Sequence, residues 1–76
     1  MPKEKSMNIP VAPLDRLIRR AKAERVSDKA AYELGAILEE LGLEIANRAQ
    51  ELASHAGRKT VTGNDIRLAY KQWRRR

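Results

Sequence analysis

Residues 28–56 read "DKAAYELGAILEELGLEIANRAQELASHA". The stretch contains no proline, and Leu34, Ile37, Leu38, Leu41, Ile45 and Leu52 recur at helical spacing on one stripe. Glu33, Glu40, Glu44 and Glu51 run beside that stripe. At a rise of 1.5 Å per residue, such a helix is about 42 Å long. It overhangs anything that two helices of about three turns cover within one chain. Gly35 and Gly42 lie seven apart on one side. Each costs about 1 kcal/mol relative to Ala inside a helix, and close approach of a second helix is one explanation for them.

Outward from this helix the chain is symmetrical in kind. On the N-terminal side, Ser27 is placed to cap the long helix. Before it, "KAERVS" at 22–27 breaks the pattern. Further upstream, Leu14, Leu17, Ile18 and Ala21 form a second stripe, with Pro13 in the first turn. Arg16, Arg19 and Arg20 fall on the opposite side of that short helix. On the C-terminal side, Gly57 is placed to end the long helix, and "RKTV" at 58–61 suits extended backbone. Thr62 and Asp65 have capping-box spacing. Ile66, Ala69, Tyr70 and Trp73 make a third stripe, and Arg67, Lys71, Arg74, Arg75 and Arg76 take the remaining faces. The expectation is all-α: short helix, loop, long helix, loop, short helix.

Composition narrows the function. The 76 residues form one small domain of a size that is marginal alone and usually needs disulfides, a metal or oligomerisation. There is no Cys, and the single His55 cannot build a zinc site, so oligomerisation is the support left. No run of roughly 18 apolar residues offers a membrane span, and "MPKEKSM" lacks a signal-peptide core, which fits an intracellular, reducing setting. The net charge of +6 favours a polyanionic partner. Residues 1–27 carry +4, residues 28–53 carry −4 and residues 54–76 carry +6, so the cations concentrate at the two ends. "AGRKTVTGND" at 56–65 is not a nucleotide-binding Walker loop: Arg58 separates Gly57 from Lys59, and Leu52 stands five residues before Gly57. No catalytic constellation, metal site or cofactor motif is present in the sequence.

With these residues in view, the chain resembles the archaeal histones. The resemblance is carried by "IPVAPLDRLIRRA", "AERVSDKA", "ILEELG", "ELASHAGRKTV" and "NDIRLA", in family order and spacing over residues 9–73. It implies the histone fold over residues 9–76, in which two chains clasp head to tail in a handshake. Residues 1–8 would be a short tail, or Met7 an alternative start, since "MNIP" at 7–10 resembles the family's usual beginning. The first loop of one chain would lie beside the second loop of its partner, "AERVS" and "GRKTV" pairing as short strands.

The same resemblance implies the partners. Double-stranded DNA would be held with little sequence preference. The protein would act as a homodimer, or a heterodimer with a paralogue, assembling on DNA into tetramers or larger nucleosome-like particles. No cofactor, small-molecule substrate or membrane is implied, and the location would be cytoplasmic, on the chromosome. Residue by residue, Lys59 matches a phosphate contact, Thr60 a hydroxyl donor that orients Arg25, and Arg25 an arginine entering the minor groove. Arg16 matches a further backbone contact; Arg19 and Arg20 join it by position only. Arg58 and Asp65 match a salt bridge tying the second loop to the last helix. Leu52, His55 and Asp65 match the surface where two dimers meet. Lys22 departs from the pattern: relatives that stack dimers into a tight superhelix commonly carry Gly there, so a lysine argues for short or open assemblies. Two other classes compete with packaging. A histone-fold member of a transcription regulator would pair with a different chain, and a basic amphipathic peptide would turn its stripes to anionic lipid. The basic ends and complete loop motifs favour packaging over the first, and the capped, loop-divided pattern argues against the second.

Overall fold

The computed structural model describes residues 10–75. The expected tail at 1–8, the alternative start at Met7, Ile9 and the terminal Arg76 lie outside the described residues. Three helices follow in order: α1, Val11–Arg20; α2, Asp28–His55; and α3, Gly63–Arg74. The described residues contain no strand. The expected strand pairing of the two loops is between chains. The exposed backbone N–H groups of Lys59, Thr60 and Val61 have no acceptor among the described residues.

Helix ends lie where the local chemistry puts them. Ser27 Oγ accepts from the Ala30 N–H at 3.0 Å and starts α2. At the other end, Gly57 takes φ +76. The Arg58 N–H bonds to the Ala53 carbonyl and the Gly57 N–H to the Ser54 carbonyl, both at 2.9 Å, closing a left-handed Schellman turn. The Thr62 side chain and the Asp65 carboxylate cap each other's backbone at the start of α3.

Helix α1 ends in a turn of the same hand without a glycine. Lys22 has φ +77, and its N–H reaches the Arg19 carbonyl at 2.9 Å. A side chain in that region of backbone space costs about 1–2 kcal/mol. The position therefore has a reason to be Gly that is independent of any neighbouring turn of protein. Replacing Lys22 with Gly is expected to stabilise the fold by about 0.5–1 kcal/mol after the added unfolded-state entropy is offset. A thermal melt checks this, as a rise of about 3–6 °C.

The described residues divide into two compact units, with the boundary between Glu40 and Leu41, inside α2. In the first, Leu14, Ala31 and Gly35 are buried. In the second, Ala49, Ala53, Ala69 and Asp65 are buried. Side chains tie α3 to the C-terminal half of α2: Trp73 Nε1 donates to Glu44 Oε1 at 2.9 Å, and Arg48 Nε to Gln72 Oε1 at 2.7 Å.

Among the described residues no large side chain is fully buried; Leu14, 4% exposed, comes nearest. The stripe of α2, expected to overhang the cover available in one chain, is at best half-buried, and Ile37 remains 49% exposed. Leu17, Ile66 and Tyr70 of the other two stripes are exposed as well. At Gly42, no described atom beyond its neighbours and its own helix backbone stands within 4 Å of where a Cβ would be, which leaves that face of α2 open.

Candidate nucleic-acid interface

The second loop, residues 56–62, is built around one carboxylate. Asp65 is only 6% exposed, and both its oxygens are occupied. Arg58 Nη1 donates to Oδ2 and Nη2 to Oδ1, each at 2.9 Å. The Thr62 N–H donates to Oδ2 at 2.9 Å and the Thr62 hydroxyl to the same oxygen at 3.1 Å. Arg58 Nη1 also reaches the Thr60 carbonyl at 3.1 Å, which fixes the intervening backbone. A planar guanidinium fork suits this two-pronged contact in a way that a lysine does not.

These bonds hold the Asp65 carboxyl well below the usual carboxylate range. The Arg58 guanidinium is the main cause, the Thr62 backbone N–H the next, and burial opposes both. The same contact raises Arg58 above its ordinary value. Since the folded-state value of Asp65 is depressed, its stabilisation is fully present above the unfolded value, near 4, and disappears as pH falls through the folded one. Asp65→Asn is expected to lower the urea midpoint at neutral pH. The gap from the parent protein should be widest above about pH 4 and narrow steadily as pH falls below it.

With Arg58 committed inward, its neighbour is free. Lys59 and Thr60 are exposed, and neither side chain has a hydrogen-bond or charge partner among the described residues. Two adjacent cations thus divide the work: one sets the loop, the other faces solvent beside three open backbone N–H groups. That combination of donors and positive charge fits a phosphate oxygen.

Within the first unit, Arg25 is exposed in the first loop, and Arg16 and Arg20 are exposed on α1. None of the three pairs with a carboxylate among the described residues. Arg19 differs: its Nε bonds Asp15 Oδ1 at 2.7 Å, one turn away. The sequence places Arg19 beside Arg16 and Arg20, but Asp15 already holds its charge, so it is the weakest candidate of the set. Lys22 is exposed at the end of α1.

Of the residues expected where dimers meet, Leu52 is half-buried and His55 is exposed at the last position of α2. Asp65 belongs to the Arg58 clasp. The structure brings Arg58, Thr62 and Asp65 together. The Arg25–Thr60 relation expected from the sequence is one between two chains.

One feature of the second unit has no signal in the sequence pattern. A shallow groove of about 480 Å³ is lined by Glu44, Asn47, Arg48, Glu51, Gln72 and Trp73. Its Trp73–Glu44 and Arg48–Gln72 bonds join residues 29 and 24 apart, beyond the reach of any helical spacing rule. Among the described residues no group of three or more His, Asp or Glu side chains is set to hold a metal. No helix there is long and apolar enough to cross a membrane.

The chain is similar to known proteins over most of its length. The family described as histone-like transcription factor (CBF/NF-Y) and archaeal histone matches residues 7–70. Over 63 residues, 83% of this chain and 94% of the relative, the chain is 57% identical to one of the chains of archaeal histone HAN1 from Thermococcus zilligii. It is 44% identical, with the same coverage of each chain, to probable archaeal histone 3 of Methanocaldococcus jannaschii.

Proposed function

This chain belongs to the family of archaeal histones and histone-like transcription factors, and on that premise we propose that its two loops and the outer face of α1 hold the phosphates of duplex DNA. It is a DNA-packaging histone and not an enzyme. The observation that carries the interface is the division of labour in the second loop: Arg58 is locked to Asp65, while Lys59, Thr60 and three backbone N–H groups are left open. Arg25, Arg16 and Arg20 supply the remaining charge, with Arg25 the residue that enters the minor groove. Contacts of this kind position DNA without reading its sequence, and selectivity then comes from how easily the duplex bends.

The binding unit is a dimer, made from two copies or from this chain and a paralogue. It is supported by the incompletely covered stripe on α2, with Ile37 exposed, and by the open face at Gly42. Dimers join through Leu52, His55 and Asp65 into tetramers or longer particles on the chromosome. Residues 9–76 constitute the histone domain and residues 1–8 its tail. Lys22, bulky and charged where tightly stacked relatives carry Gly, keeps these assemblies short or open.

Two substitutions separate binding from assembly. Arg25→Ala is expected to weaken binding to short and long duplexes alike, by about tenfold or more per dimer, since each dimer loses two groove contacts. His55→Ala is expected to leave binding to a short duplex within about twofold and to shorten the length of DNA protected from nuclease, because it acts between dimers. Equal losses for both variants on both lengths would overturn this assignment.

A further inference from the structure

Helix α3 carries a second basic face that the interface above does not use. Asp65, Ala69 and Trp73 turn toward the body of the second unit, whereas Arg67, Lys71 and Arg74 follow at i, i+4 and i+7 on the opposite side. All three are exposed, as is Arg75. None pairs with a carboxylate among the described residues. The only acid of α3 is Asp65, and Arg58 neutralises it on the other side of the helix.

Helix chemistry accounts for part of this stripe. Cations in a last turn complement the helix dipole, which explains Lys71 and Arg74. It does not explain Arg67, in the first half of the helix, where Arg67 and Lys71 repel each other one turn apart. An external polyanion resolves that repulsion. The stripe from Arg67 to Arg74 spans about 10 Å of helix axis, a length over which a duplex presents roughly six phosphate charges. Arg74 is steadied by its guanidinium lying 5.6 Å from the centre of the Tyr70 ring, which in turn stacks on Trp73 at 6.1 Å. Lys71, Arg74 and Arg75 also border a cleft of about 290 Å³.

We propose that this face of α3 binds the phosphate backbone of a second DNA duplex, so that the protein joins two duplexes and does not only wrap one. The inference rests on the DNA-packaging reading and adds a surface to it. No aromatic or amide side chain on the stripe is free to read a base, so the second contact is sequence-independent.

The test uses the full chain, one duplex of about 30 base pairs on beads and a second, labelled duplex of the same length free in solution, each too short to be wrapped twice. The wild-type protein is expected to retain the labelled duplex on the beads. The variant R67Q/K71Q/R74Q should bind a single duplex within about twofold of wild type and retain the second at least about tenfold less, with a shallower salt dependence of retention. The charge-preserving variant R67K/R74K should restore retention, which separates loss of charge from loss of folding. Failure of the wild-type protein to bind even one duplex would refute the packaging function itself. Binding of one duplex without retention of a second would refute only the bridging surface. Equal weakening of the first duplex by the triple variant would place the stripe on the primary track. Loss of protein self-association without DNA would assign it to an acidic protein face. Either of these results also overturns the proposal.

Discussion

Melted at protein concentrations a thousandfold apart, this chain is expected to show melting temperatures about 13 °C apart. Mass action supplies about 4.1 kcal/mol over that range when the folded state is a dimer and the unfolded state is not. Unfolding entropy of about 2.1 cal/mol/K per residue, over two chains, comes to about 0.32 kcal/mol/K. The ratio gives the shift. The structural basis is that no large side chain among the described residues is fully buried and that Ile37 is 49% exposed on the stripe of α2. A second chain laid along that stripe supplies the missing apolar contact at about 25 cal/mol per Å². Ile37→Lys would put an ammonium on the same surface, where burial without a partner is costly. The variant is expected to give no cooperative melt at any of these concentrations. A melting temperature independent of concentration, with monomer mass in solution, would contradict the dimer.

Raising salt from about 50 to 200 mM is expected to weaken DNA binding by about 10⁴-fold. Each chain offers four cations free of carboxylates at the proposed interface, Arg16, Arg20, Arg25 and Lys59. A dimer then neutralises about eight phosphates, and each releases close to 0.9 counterion, so the log–log slope is near −7. Scrambling the duplex sequence should change affinity far less, since phosphate contacts carry no sequence information. A slope shallower than about −2, or strong preference for one short site, would exclude packaging by this interface. Arg19→Ala should change the slope little, because Asp15 already pairs with that side chain.

Local rules are enough to delimit the helices. A proline-free stretch, a serine before it and a glycine after it mark α2 to within one residue of Asp28–His55. Thr62 and Asp65, three apart, announce the start of α3 by a bond that each makes to the other's backbone. The Arg58–Asp65 clasp follows from family likeness, since no helical period links residues seven apart across a turn. The state of Arg19 is legible in principle. Asp15 stands four residues before it, a spacing that brings side chains together on a helix, yet an arginine face read for charge alone misses the pair.

Other features depend on quantities that a sequence pattern does not contain. Apolar periodicity says which residues share a face but not whether that face is covered. Helix length alone shows that the stripe of α2 outruns the cover one chain can give, but not which residues are left open; Ile37 is exposed, whereas the other five are half-buried. The clasp of Trp73 on Glu44 depends on how α3 lies against its own half of α2. Lys22 shows the same gap at the scale of one residue. Its departure from the family's glycine is visible in the sequence, where close packing between turns of protein is the reason at hand. The backbone at φ +77 supplies a nearer one. The compaction test with Lys22→Gly therefore has to be made at temperatures equally far below each protein's own melt, so that gained fold stability is not mistaken for gained stacking.

The scarcity of buried large side chains also sets a kinetic rule for the cell. In the proposed dimer, where one chain leaves its apolar stripe incompletely covered, productive folding is a second-order reaction, and its rate rises with the square of the concentration of unpaired chain. Chains made without a partner keep that stripe open to proteases, so supply and degradation together hold the pool near the level at which every chain is paired. The amount of protein available to coat the chromosome is then regulated by the same apolar surface that closes the dimer. A paralogue able to pair with this chain would extend the lifetime of both.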